Sequence, residues 1–140
     1  MSGPITRVDA SYATVLAALH ARVFPQAAWD AKAFSGLLSL PDSLALLHES
    51  GGFLLLRAVL DEAEILTFGT IEKRHGVGSA LLQEGLSRLG QKGVKTFYLE
   101  VAARNEPARL FYDKFGFTLT GRRKAYYEDG DDALIMRLSC

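Results

Sequence analysis

Between residues 64 and 117 the hydrophobic pattern switches from strand to helix and back, then into a second helix, and the residues able to do chemistry sit at the junctions. Residues 64–70 (EILTFGT) form a short apolar run that stops at a polar turn, 72–78 (EKRHGVG). Beyond the turn, Leu81, Leu82, Gly85, Leu86 and Leu89 recur at helical spacing and give one apolar stripe. Gly90 and Gly93 close this helix. Residues 94–101 (VKTFYLEV) then alternate, with Phe97, Leu99 and Val101 on one face and Thr96, Tyr98 and Glu100 on the other. Two strands joined by a helix of this length are predicted to run parallel, with a right-handed crossover.

A helix start exposes unpaired N–H groups and the positive end of the helix dipole, and residues without a Cβ let an anion approach that backbone. The turn at 74–79 is therefore a candidate phosphate cradle. The pattern Gly76-Val77-Gly78 lacks the third glycine of a dinucleotide fingerprint, and the chain holds no G-x-x-x-x-G-K-[ST] run. Taken alone, these glycines also fit a tight strand-to-helix turn with no ligand.

Asn105-Glu106-Pro107 starts the next helix, with Asn105 as N-cap, and Gly116 marks its end. Helical spacing puts Asn105, Ala108, Arg109 and Tyr112 on one side and turns Phe111 and Phe115 towards the core. The stretch LEVAARNEPARLFYDKFGF, followed by GRRKAYYEDGDDALIMRL, resembles the second half of the GNAT acetyltransferases. Within that superfamily it is most similar to the ribosomal-protein-alanine N-acetyltransferases. The resemblance spans about residues 5–138 and is strongest over 62–138.

The resemblance implies acetyl-CoA as cofactor and assigns roles by motif position. The turn (Arg74, His75, Gly76, Val77, Gly78, Ser79) would hold the pyrophosphate, the backbone of Phe68, Gly69 and Thr70 would pair with the pantetheine arm, and Asn105 would touch the cofactor. Glu100 would be the general base and Tyr112 the general acid, while Trp29, Tyr126 and Tyr127 would line the acceptor groove. Trp29 at a helix start equally fits a packed residue, and the segment 122–132, with charges of both signs, equally fits a solvated turn. Two features depart from the family pattern: the strand-to-turn junction is about two residues shorter and lacks its proline, and Lys73 stands where Gln or Arg is typical.

Upstream, residues 4–8 read as a strand and Asp9 as the cap of a helix carrying Tyr12, Val15, Leu16, Leu19 and Val23 at helical spacing. Phe24-Pro25 breaks it, and a second helix from about Asp30 carries Phe34, Leu37 and Leu38 before Pro41. Residues 43–48, 53–60 and 64–70 read as an antiparallel meander, and 117–122 and 133–138 as a C-terminal hairpin. The expected fold is thus α/β with a mixed sheet of GNAT type: an N-terminal helix pair, a meander leading into a central parallel strand pair, and a final hairpin.

At 140 residues a single domain, 1–140, is expected. Lys+Arg and Asp+Glu both number 16, so no general attraction to nucleic acid or anionic lipid is predicted. Apolar runs are too short for a membrane helix, no secretion signal opens the chain, and the lone Cys140 closes no internal disulfide, which points to the cytoplasm. His20, His48 and His75 are scattered, so no metal site is expected, and no G-x-S-x-G motif supports a covalent hydrolase.

The reading that follows is direct transfer of an acetyl group from acetyl-CoA to a primary amine, with a protein or peptide N-terminus such as that of a ribosomal protein as acceptor. A monomer or weak homodimer is expected. A GNAT acting on a small amine or amino acid would share the same cofactor half. A non-catalytic acyl-CoA-binding module would keep the cradle without the transfer.

Overall fold

The computed structural model describes residues 4–71 and 76–140. Alternation in the sequence becomes one mixed sheet in the order β1-β2-β3-β4-β5-β7-β6. Strands β1 (Ile5–Val8), β2 (Ser43–His48), β3 (Phe53–Val59) and β4 (Glu62–Gly69) form an antiparallel meander. β5 (Thr96–Ala102) lies parallel to β4, as a strand returning from a crossover helix must. β7 (Ala133–Ser139) then inserts antiparallel between β5 and β6 (Thr118–Arg123).

Helices α1 (Ala13–Val23) and α2 (Ala31–Leu38) cover one face of the sheet, and α3 (Val77–Gln91) and α4 (Glu106–Lys114) the other. Each start has a local cause. Asp9 accepts from the Ser11 N–H at 2.9 Å and opens a 3-10 turn that runs into α1, and Asp30 accepts from the Ala33 N–H at 2.8 Å at the head of α2. Gly116, at φ 100, takes the left-handed conformation just beyond α4.

The core divides accordingly. Leu54, Leu56, Leu81, Leu82, Phe97, Leu99 and Phe117 are buried under α3 and α4, and Val8, Leu16, Phe34, Phe53 and Leu55 under α1 and α2. Two expectations are corrected here. The buried face of α1 is Ala13, Leu16 and His20, whereas Tyr12 and Val15 are exposed, because the 3-10 turn takes Tyr12 out of the α-helical phase and Val15 falls on the far side. On α4 the most buried ring is Tyr112, at 9 % exposure, while Phe111 and Phe115 are half-buried beside it.

The feature that positions the site is the relation of β4 to β5. Their ladder pairs Glu62 with Thr96, Ala63 with Phe97 and Glu64 with Tyr98, and ends there among the described residues. On its other edge β4 carries a bulge: Leu55 pairs with Thr67 and Leu56 with Ile65, so Leu66 has no partner. A bulge bends its strand and increases local twist, which turns the end of β4 away from β5.

Candidate active site

Where β4 and β5 part, a cleft of about 740 Å³ opens. Its lining joins Phe68, Gly69 and Thr70 from the end of β4 with Gly76, Val77, Gly78 and Ser79 from the start of α3. Asn105, Pro107, Ala108, Phe111 and Tyr112 close it from α4, and Val23 and Phe24 from the end of α1. Every described residue marked for cofactor binding in the sequence is therefore gathered here. Arg74 and His75, marked for the same role, lie outside the described residues, as does Lys73. A smaller groove of about 390 Å³ between α4 and the last two strands, lined by Arg109, Leu110 and Leu119 among others, holds none of these groups.

The two helix starts that border the cleft differ. Gly76 adopts φ 71 and ψ 19 at the head of α3, a conformation that favours glycine, and no side chain caps the helix there. Among the described residues, the first N–H groups of α3 thus have no side-chain partner at the positive end of the helix dipole. A Cβ on Gly78 would stand 3.4 Å from the Phe68 ring and 3.7 Å from Thr70 and Phe111, so any larger group there would enter the cleft. At α4, by contrast, Asn105 satisfies its own helix by accepting from the Ala108 N–H at 3.3 Å. Its NH2 group is what remains to meet a ligand.

Tyr112 sits in a cluster of rings, with Phe111 at 5.5 Å, Phe117 at 5.7 Å and Phe68 at 6.3 Å between centroids. Burial pushes its phenol well above the usual tyrosine range, because the phenolate would lose its hydration. The hydroxyl therefore stays protonated throughout the neutral range.

Glu100 lies on the opposite face of β5, since Leu99 and Val101 on either side of it point into the α3/α4 core. It is exposed, and Arg123 Nη2 approaches its carboxylate at 3.6 Å. The same guanidinium lies 5.3 Å over the Tyr126 ring, which meets Tyr127 edge-on at 5.2 Å. The Tyr127 phenol is raised, first by burial and then by the negative charge of Glu100. Glu100, Trp29, Tyr126 and Tyr127 are not part of the cleft lining and occupy the α1/α2 side of the sheet and the β6–β7 connection.

That connection, which in sequence also fits a solvated turn, is tied down by two aspartates. Asp131, 6 % exposed, accepts from the Arg104 N–H and the Asp132 N–H, both at 2.9 Å, and so joins the hairpin to the loop preceding α4. Asp132 accepts from the Ala125 N–H at 2.8 Å and pairs with Arg122 at 2.7 Å, and its carboxyl is held below the usual range by that N–H above all. Arg122 is thus paired within the hairpin.

Sequence reading passed over His20, which is buried between α1 and β4 and bonded to Thr67 Oγ1 at 3.1 Å. Trp29 packs on it, with the indole stacked 5.0 Å from the imidazole, so packing is one role this tryptophan has. The sequence signal available was weak: a lone histidine on the apolar side of an amphipathic helix. Among the described residues, no three His, Cys, Asp or Glu side chains gather as a metal site, and no helix is long and apolar enough to cross a membrane.

Comparison with known proteins gives a consistent picture. Residues 24–117 match the profile of the Acetyltransferase (GNAT) family. The ribosomal protein bS18-alanine N-acetyltransferase of Escherichia coli K12 is 34 % identical over 127 residues, covering 85 % of this chain and 84 % of that protein. A crystal structure of the Escherichia coli ribosomal-protein-S18-alanine N-acetyltransferase superposes with a TM-score of 0.86 at 28 % identity, over 96 % of this chain and 92 % of the other. Ard1 from Thermoplasma volcanium superposes with a TM-score of 0.83 at 25 % identity, over 99 % and 98 % of the two chains.

Proposed function

The chain belongs to the acetyltransferase (GNAT) family and is an acetyl-CoA-dependent N-acetyltransferase, and on that premise we propose that its acceptor is the α-amino group of a protein N-terminus. The similarity to enzymes named for the alanine N-terminus of ribosomal protein bS18 makes an alanine-initiated ribosomal protein the first candidate. The observation that carries this reading is the opening between β4 and β5, lined from both faces of the sheet, with Tyr112 on one face and Glu100 on the other.

The residues present fit the donor. The uncapped start of α3 suits a pyrophosphate, and the missing Cβ at Gly78 leaves room for it. Beyond Glu64 the edge of β4 no longer pairs with β5, so backbone groups from Phe68 to Thr70 are available to a pantetheine arm and to the oxygen of a thioester as it gains negative charge.

In this reading the amine approaches from the face of Glu100, and the carboxylate takes its proton, directly or through water. The nitrogen–carbon bond forms as the carbon–sulfur bond breaks, with no enzyme nucleophile. The thiolate departs on the face of Tyr112, whose phenol carries the proton that neutralises it. Arg123 partners Glu100 in the free protein, so the incoming ammonium exchanges one cation for another at that carboxylate.

The chemistry of the amine supports the N-terminal choice. An α-amino group with a reference pKa of about 7.8 is roughly one-sixth to one-third neutral across cellular pH, whereas a lysine near 10.4 is free base about one part in a thousand. A single carboxylate suffices for the first. The test is incubation with labelled acetyl-CoA and an alanine-initiated peptide matching bS18, an N-terminally blocked lysine peptide, and a panel of small amines, read by mass spectrometry. Label on the α-amine of the first peptide is the expected result. Label only on small amines, or cofactor binding with no transfer to any amine, overturns it.

A further inference from the structure

His20 takes no part in the chemistry above, yet it joins two walls of the cleft. It lies on α1 one turn before Val23 and Phe24, which line the cleft, and only 2 % of it is exposed. Its ring stands 4.7 Å from that of Phe24, 5.0 Å from Trp29, 5.5 Å from Phe34 and 5.7 Å from Phe53. The backbone N–H of Trp29 donates to Nδ1 at 3.1 Å, so Nδ1 presents its lone pair and the proton sits on Nε2. Nε2 then donates to Thr67 Oγ1 at 3.1 Å.

Thr67 follows the unpartnered Leu66 of the bulge and immediately precedes Phe68 and Gly69 of the cleft. The end of α1 closes on that same point. A Cβ on Gly69 would lie 2.8 Å from Val23 Cγ1 and 3.4 Å from the Phe24 ring, so helix and strand meet there with no space to spare.

We propose that His20, in its Nε2–H tautomer, is a positioning residue that fixes the Val23–Phe24 wall against β4 through Thr67 and thereby limits the length of the acyl group the cleft accepts. The proposal rests on the reading that the cleft takes an acyl-CoA thioester. Val23 and Phe24 stand across the cleft from Tyr112, on the face towards which an acyl group reaching through the split points. A wall held by two hydrogen bonds and a stack of rings cannot retreat for a longer chain. Released from Thr67, α1 gains that freedom at its end.

Thr67→Val keeps the shape of the side chain and removes the acceptor, while Thr67→Ser keeps the acceptor. The measurement is the preference for butyryl-CoA over acetyl-CoA, as a ratio of affinities by calorimetry and as a ratio of kcat/KM with the peptide acceptor. Thr67→Val is expected to raise both ratios by roughly 3- to 10-fold, a modest part of what the two extra methylenes are worth in an apolar pocket, with Thr67→Ser at the wild-type ratio. Imidazole ¹⁵N shifts of the wild type should show the proton on Nε2. Unchanged ratios in a folded Thr67→Val protein, or a proton on Nδ1, overturn the proposal. A wild type that binds both thioesters but acetylates no amine would sink the proposed reaction instead, and the affinity ratio would still decide the role of His20.

Discussion

On the α3/α4 side of the split, the part of the cleft proposed for the phosphates and the pantetheine arm is backbone, namely the start of α3, the glycine at 78 and the edge of β4, beside the rings of Phe111 and Tyr112. On the α1/α2 side stand side chains of β5 and the end of β6, Glu100 with Arg123, and side chains on connections, the tyrosines of the β6–β7 segment and the 24–29 segment around Trp29. Backbone geometry is fixed by the sheet and by helix starts. Side chains on loops must be held by something else, and here that is a small set of buried polar groups, His20 of α1 against the 24–29 segment and Asp131 within the β6–β7 connection. The donor half should therefore be sensitive to added atoms and the acceptor half to removed hydrogen bonds.

The largest effect expected tests the donor half. Gly78→Asp places a carboxylate where phosphate would approach, and two like charges about 4 Å apart cost on the order of 4 kcal/mol near a protein surface, about a thousandfold in affinity. Calorimetry with acetyl-CoA should show binding lost. Unchanged affinity would mean the cradle lies elsewhere and the contrast between the halves is misdrawn.

Next come the two groups on opposite faces of the sheet. Tyr112→Phe keeps the ring in its cluster and removes only the hydroxyl, so transfer should fall by about 10²-fold or more with cofactor affinity nearly unchanged. An acyl-CoA analogue whose thiolate is a better leaving group should rescue this variant more than the wild type, and a lack of such rescue reduces Tyr112 to a packing residue. Glu100→Gln should lower kcat by about 10²-fold near neutral pH, with a loss that shrinks as pH rises and the amine sheds its own proton. A loss constant with pH would assign the proton to another acceptor.

The asymmetry also decides what could be read from the sequence. The βαβ unit, the glycine at the start of α3 and the Asn105 cap are local patterns, each carried by residues a few positions apart, and each appears in the fold where its pattern put it. His20 and Thr67 are 47 residues apart, and Asp131 and Arg104 are 27 apart, so neither bond leaves a local trace. The reversal at Tyr112 has a different cause: neighbouring helix positions differ by only about 100°, and a nine-residue helix lying over the sheet between Phe68 and Phe117 sets a phase that its own pattern cannot supply. The parting of β4 from β5 follows from a bulge at Leu66, which no turn residue announces.

A smaller effect is expected at the hairpin. Asp131→Asn preserves volume but turns one acceptor into an NH2 donor facing the N–H of Arg104 or of Asp132. Leaving such a buried donor unsatisfied costs about 1–3 kcal/mol. Denaturant unfolding should register that loss, and a rise in KM for the peptide should exceed any rise for acetyl-CoA. Equal rises for both substrates would show that Asp131 serves the Asn105 loop as much as the hairpin.

The smallest effect belongs to His20 and appears as pH dependence. Burial among uncharged rings, Phe24, Trp29, Phe34 and Phe53, with Thr67 as its hydroxyl partner, lowers its pKa below 6.5. Below pH 6.5 the unfolded chain takes a proton that the folded chain refuses, so this contribution to stability is intact above 6.5 and is lost as pH falls towards the lowered folded value. The slope from one such group cannot exceed about 1.4 kcal/mol per pH unit. Asp9 and Asp132, whose carboxyls are held below 3.8, act only in stronger acid, so they do not obscure the window just under pH 6.5. Protonation also puts a hydrogen on Nδ1 against the Trp29 N–H, so the 24–29 segment should loosen before the sheet does. Tryptophan fluorescence, with Trp29 as the single reporter, should therefore change at a higher pH than far-ultraviolet circular dichroism. If the two transitions coincide, and His20→Gln leaves the acid limb of the stability curve unchanged, the acceptor half is not held by this histidine.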